Sequence, residues 1–189
     1  MRRHLYVSLL SFFIASILLG GCKNDVNAIV RSLYGKKIDF NWSKQTIKAD
    51  TIIEGLEIQT PLKVVAYIDS SLCTPCFMNY LDFASDFIEK YGSDNIVYMC
   101  IIQPRNISDL QDKMAQMSLK GVEVILDKDE KYKKRNSIDQ YASLITVFLL
   151  DSDNRIKLVG DPLRSKKIND LYDCKVIEFI DELERTSKI

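Results

Sequence analysis

Residues 63–83 read KVVAYIDSSLCTPCFMNYLDF. Lys63 to Ile68 form a continuous apolar, β-branched run, the composition of a strand buried on both faces of a parallel sheet. Beyond it the apolar residues fall at Phe77, Tyr80, Leu81, Ala84, Phe87, Ile88 and Tyr91, one helical stripe that stops at Gly92. Cys73 and Cys76 stand where strand gives way to helix. The first sulfur then sits where free backbone N–H groups and the positive end of the helix dipole favour thiolate over thiol, as attack on a disulfide requires. Cys76, one turn further in and closer to the core, is placed to attack a mixed disulfide formed at Cys73. Pro75 costs the helix little, because an N–H so near the start has no intrahelical partner.

Two other uses of the sulfurs compete with this one. A zinc site wants four ligands, and with no second C-x-x-C and no histidine but His4, it would have to recruit Cys100, Cys174 or carboxylates. A purely structural staple across so short a loop restricts the unfolded chain only slightly, because the entropic gain grows with loop length. The residues support the redox pair best.

The amino terminus bears on the same question. Arg2 and Arg3 form a positive head, Leu5 to Leu19 is an uncharged apolar stretch, and small residues follow, so residues 1–21 read as an export signal. The apolar stretch falls short of the roughly 20 residues a membrane-spanning helix needs. Removing 1–21 takes away Arg2 and Arg3 but no acid, so the overall balance of 26 basic and 26 acidic residues becomes a slight acidic excess. Neither balance suggests a nucleic-acid partner. Export places Cys73, Cys76, Cys100 and Cys174 in a compartment that permits disulfides. With His4 lost alongside the signal, hydrolases that need imidazole as a base and zinc sites that need it as a ligand are excluded.

The 189 residues, 47% hydrophobic and 28% charged, suit one globular domain with an appended segment. Val26 to Tyr34 reads as a short helix stopped at Gly35, and Ile52 to Ile58 alternates weakly, as an edge strand does. Asn95 to Ile102 is a second apolar strand, in which Cys100 reads as a small core residue; Ile107, Leu110, Met114 and Met117 mark another amphipathic helix. Gly121 to Leu126 is a further strand, and Asp127 to Arg135 a charged helix or loop in solvent. Leu144 to Leu150, a turn at Ser152-Asp153-Asn154, and Ile156 to Val159 read as a hairpin. The last helix shows Ile168, Leu171, Tyr172, Val176, Phe179, Ile180 and Leu183 on one face, with Cys174 opposite. Early alternation of strand and helix with a late hairpin implies an α/β fold with a mixed sheet and helices on both faces.

The strand KVVAYIDS before LCTPC, the long helix after it, and the segment TVFLLDSDNRIKLVGDP together resemble the thioredoxin-fold thiol-disulfide oxidoreductases, in particular exported TlpA-like or redoxin-type lipoproteins. The run Leu19-Gly20-Gly21-Cys22 resembles the lipobox of bacterial lipoproteins, which implies cleavage before Cys22 and lipidation of that cysteine. The resemblance implies a three-layer α/β sandwich organised as a signal peptide over 1–21, a lipidated linker with a short helix over 22–59, and a thioredoxin-like domain over 60–189. It also implies Cys73 as nucleophile and Cys76 as resolving thiol, protein thiols and disulfides as partners, and an upstream redox partner that the sequence does not name. No cofactor and no metal are implied. The location is the cell envelope, facing the periplasm or cell exterior.

Three positions depart from the family. Leu72 replaces a common tryptophan, and Tyr67 stands where many thioredoxins place a buried acid, with Asp69 nearby reading as a solvent-facing loop residue. Ile145 occupies the place of a cis-proline; a cis bond before a non-proline costs about 2.5 to 4 kcal/mol, so a trans peptide is expected, with Ile145 or Thr146 pairing with the partner's backbone. That lost proline also motivates the alternative of a catalytically inert thioredoxin-fold binding or assembly lipoprotein.

Overall fold

The computed structural model describes residues 26–41, 45–48, 51–54, 60–69, 74–103, 111–112, 114–117, 119–127, 129–138 and 147–186. The chain divides into two units, 1–32 and 33–189. The first contains nearly all of helix α1 (Val26–Leu33), in which the Ser32 hydroxyl donates to the carbonyl of Ile29 at 2.8 Å. The export signal and Cys22 lie outside the described residues.

The second unit is built on one seven-stranded sheet. In chain order its elements are β1 (Gln45–Lys48), β2 (Thr51–Glu54), β3 (Leu62–Ile68), α2 (Thr74–Tyr91), β4 (Ile96–Ile102), β5 (Val122–Leu126), α3 (Lys131–Arg135), β6 (Val147–Leu150), β7 (Ile156–Val159) and α4 (Lys166–Thr186). Across the sheet the strands run β2-β1-β5-β4-β3-β6-β7. Strands β3, β4 and β5 are parallel neighbours, while β6 and β7 on one side and β1 and β2 on the other join antiparallel, as a mixed sheet requires. The edge strand read from Ile52 to Ile58 appears as β2; its residues 55–58 lie outside the described residues, and its partner β1 carries no apolar pattern that would reveal it.

Every residue of β3 and of β4 is buried. Alternation divides them between the faces: Val64, Ala66, Ile68, Tyr98, Cys100 and Ile102 join a core with Phe77, Leu81, Ala84 and Phe87 of α2 and Tyr172 and Val176 of α4. The stripe read along α2 is buried at all seven positions. Each fully buried large apolar side chain on this face contributes about 1.5 to 3 kcal/mol. The stripe read along α4 is less complete, because Leu171 lies 42% exposed.

The other face carries Val65, Tyr67, Met99, Ile101 and Ile125, and its cover comes from α3 and residues 33–41. Tyr132 of α3, fully buried, stacks on Tyr67 at 5.8 Å between ring centroids, and Phe40 stacks on Tyr132 at 6.1 Å. The stretch 127–135 is therefore not simply a solvated segment. Asp127 within it is 1% exposed, its two carboxylate oxygens accepting the N–H groups of Lys131 and Tyr132. Buried Asn136 then ties α3 to the preceding chain, accepting from the Asp39 N–H at 2.7 Å and donating to the Asp39 carbonyl at 3.1 Å. Residues 35–38 go on to bond β7 through Gly35 N–H to the Ile156 carbonyl and Ile156 N–H to the Lys36 carbonyl, covering an edge that would otherwise be open.

The β6–β7 turn is organised by Asp151. One carboxylate oxygen accepts the N–H groups of Asp153 and Arg155 at 3.0 and 2.8 Å, and the other meets Lys157 Nζ at 3.0 Å. Asn154 takes the left-handed conformation the turn needs, at φ 62°. Burial pushes the Asp151 carboxyl upward, but the hydrogen bonds from Arg155, Lys157 and Asp153 together outweigh it and hold the group below its ordinary 3.8. Asp151→Ala, which strips two backbone donors of their acceptor, is expected to cost about 1 to 3 kcal/mol in denaturant unfolding. The sign with pH follows from the depressed value. The stabilisation is complete above 3.8 and is lost as pH falls through the lower folded-state value, so the variant's stability should fall less steeply on acidification.

Candidate functional site

Strand β3 ends at Ile68, residues 70–73 lie outside the described residues, and α2 starts at Thr74. Cys73 is therefore outside them, and so are Ile145 and Thr146, immediately before β6, together with the peptide bond for which a trans geometry is expected. Cys76 is the third residue of α2, half-buried and disulfide-bonded. Cys100 and Cys174 are free. The first turn of α2 contains no acidic side chain to oppose an anion at the helix's positive end.

Four residues after Cys76, Tyr80 is 5% exposed and its hydroxyl donates to Oδ2 of Asp161, in the loop after β7. Burial, then the hydrogen bond to Asp161, pushes the Tyr80 phenol up to about 12. The Leu163 N–H donates to Asp161 Oδ1 at 3.0 Å, and Arg164 Nε meets Oδ2 at 3.2 Å. Gly160 fixes the loop on the sheet: its N–H donates to the Val147 carbonyl at 3.0 Å, and its carbonyl accepts from the Tyr172 hydroxyl at 3.1 Å. Its φ of +135° disfavours any side chain, and an added Cβ would press within 3.2 Å of two Ile168 carbons. The loop 160–161 thus joins the early turns of α2 to the first residue of β6, the strand that follows Thr146. Sequence reasoning missed this junction; the only sign of it was the pair Gly160-Asp161 at the end of the returning strand.

Tyr67 lies beneath the strand end on the opposite face. It is 2% exposed, its hydroxyl has no hydrogen-bond partner among the described residues, and burial with the nearby carboxylates of Asp127, Glu130 and Asp69 raises its phenol. It therefore does not stand in for an ionisable acid at that position. Asp69 is partly exposed and lies 3.9 Å from Lys133 Nζ, which in turn sits 6.0 Å from the Tyr67 ring centroid. The buried acid present, Asp127, is raised by burial against three opposing backbone hydrogen bonds, and caps α3.

Cys100 is fully buried in β4, level with Ala66 of β3 and Val124 of β5, and burial pushes its thiol up to about 12. Cys174 is exposed on α4, opposite the buried stripe. Treating the native protein with N-ethylmaleimide and mapping the adducts should therefore find Cys174 modified and Cys100 untouched until denaturant is added. A native adduct at Cys100 would contradict the packing of β4.

No family model matches the sequence, and no curated protein matches it either. Solved structures do. A thioredoxin-like protein from Porphyromonas gingivalis is similar at 18% identity, with 74% of this chain and 90% of that chain covered and a TM-score of 0.50. A putative thiol:disulfide interchange protein from Chlorobium tepidum is similar at 13% identity, covering 76% and 97%, with a TM-score of 0.55. A putative thiol-disulfide oxidoreductase from Bacteroides vulgatus is similar at 15% identity, covering 75% and 96%, with a TM-score of 0.53. At these identities the likeness establishes the fold, which is thioredoxin-like.

Proposed function

We propose that this thioredoxin-fold chain is an exported, lipid-anchored thiol-disulfide oxidoreductase that exchanges disulfides with protein partners through Cys73 and Cys76. One observation carries the reading: Cys76 is disulfide-bonded in the first turn of an 18-residue helix at the carboxyl end of a buried parallel strand, while Cys100 and Cys174 stay free. The spacing makes Cys73 the bonded partner. Two structural neighbours, a putative thiol:disulfide interchange protein and a putative thiol-disulfide oxidoreductase, agree with it.

In the reduced form, the Cys73 thiolate attacks one sulfur of a partner disulfide, and the partner's other sulfur leaves as thiolate. Cys76 then attacks the Cys73 sulfur, the bond from Cys73 to the partner breaks, and the second partner sulfur departs. The partner has gained two electrons and the pair has lost them, so an upstream dithiol must return them for another turnover. Ile145 and Thr146 hold the partner's backbone beside the pair, next to Val147, whose carbonyl is already taken by Gly160. Cys22 bears the lipid that keeps the domain at the envelope membrane; several acyl chains, at about 0.8 kcal/mol per buried CH₂, hold far more firmly than one.

Reduction of a model protein disulfide by residues 23–189 with dithiothreitol tests the activity. Turnover is expected for the wild type, with a loss of at least about 100-fold for Cys73→Ser; no turnover, or undiminished turnover in that variant, refutes it. Cys22→Ser in the full precursor is expected to move the protein from the detergent-extracted membrane fraction to the soluble one, and unchanged membrane retention would refute the anchor.

A further inference from the structure

We infer that Tyr80 and Asp161 form the proton acceptor for Cys76 in the resolving step, an inference that rests on the exchange proposed above. Cys76 must lose its proton to attack Cys73; beneath the strand the Tyr67 hydroxyl has no hydrogen-bond partner among the described residues, the Asp127 oxygens are taken by the N–H groups of Lys131 and Tyr132, and Asp69 faces Lys133. On α2 the situation is different. Residues four apart share a helix face, and long side chains in a helix lean toward its amino terminus, so helix geometry sets Tyr80 on the face of α2 that carries Cys76 and inclined toward that turn. The Tyr80 hydroxyl donates to Asp161 Oδ2, which leaves its oxygen lone pairs to accept a thiol proton.

Asp161 is built to hold this post. Its side chain is 11% exposed, it is oriented by the Leu163 N–H, and Gly160 beside it is bonded to both Val147 and Tyr172. Among the described residues, the ionisable groups facing it are Arg164 within its own loop, Tyr80 from α2, Tyr98 from β4 and Tyr172 from α4. Both Tyr98 and Tyr172 are held neutral by burial first, with the Asp161 charge adding to the effect.

The step balances as follows. In the mixed disulfide, the Cys76 proton moves to Tyr80 Oη as the Tyr80 hydroxyl proton moves to Asp161 Oδ2. The electron pair left on the Cys76 sulfur forms the bond to Cys73, the bond from Cys73 to the partner breaks, and the partner sulfur leaves as thiolate. Asp161 then returns its proton to that thiolate or to water. Tyr80 and Asp161 neither gain nor lose electrons, and the oxidant is the partner disulfide.

The test is an acid-quenched, single-turnover reaction of the reduced full-length protein with a disulfide-bonded peptide, resolving mixed disulfide from product by mass across the neutral pH range. Tyr80→Phe and Asp161→Asn are expected to form the mixed disulfide at the wild-type rate, then to resolve it about 100-fold more slowly, with a rate that rises in proportion to hydroxide. Wild-type resolution in folded Tyr80→Phe or Asp161→Asn overturns the inference. A wild-type protein that forms no mixed disulfide at Cys73 refutes the exchange itself, a result read before any variant is made.

Discussion

Strand β3 has neither a free face nor a free edge. It is parallel to β4 on one side and antiparallel to β6 on the other, α2 and α4 cover one face, and Tyr132 with its neighbours covers the other. A strand fixed on four sides delivers its carboxyl end to one place, and α2 starts from there. Every property proposed for the cysteines depends on that delivery, because the helix dipole acts strongly only within the first turn. The cover over Tyr67 has no chemical part in the site, yet it fixes β3 from behind; the hydrogen-bonded links among Asp39, Asn136 and α3 secure that cover.

The inferred proton relay lies on the α2 face of the sheet, opposite Tyr67. At Tyr67 burial and neighbouring carboxylates act in the same direction, against ionisation, and no donor or acceptor among the described residues meets the hydroxyl. At Tyr80 the hydroxyl is bonded to a carboxylate that backbone and arginine hold in place. A buried acid exists at Asp127, but its oxygens are occupied in capping α3. The two carboxylates therefore divide the work: Asp127 is structural, and Asp161 is the one whose bonded tyrosine rises from the helix of Cys76.

The places of the parallel strands along the chain and the full stripe of α2 were legible in the sequence because unbroken apolar runs and a 3.6-residue period report burial directly. Cys100 in the core and Cys174 outside it were legible for the same reason. The hairpin β1–β2 was not, since strands such as Gln45–Lys48 form by pairing rather than by apolar pattern. The burial of Tyr132 and Asp127 was hidden inside a run of charges, where a single aromatic facing inward changes no average. Leu171 failed in the opposite sense, apolar in sequence and open to solvent on the edge of its stripe. Least legible was the bond from Tyr80 to Asp161, which joins residues 81 positions apart and depends on Gly160 bringing the loop to the sheet.

The central claim, that Cys73 and Cys76 are a reversible redox couple set on a rigid fold, is tested most directly by its reduction potential. The protein would be equilibrated in graded thiol-disulfide buffers, the free thiols alkylated and counted by mass, and the fold followed by circular dichroism in the same samples. A working couple is expected to exchange two electrons with the fold intact, at a midpoint between about −120 and −270 mV. A disulfide that resists reduction to below about −300 mV, or that opens only as the domain unfolds, would contradict the account.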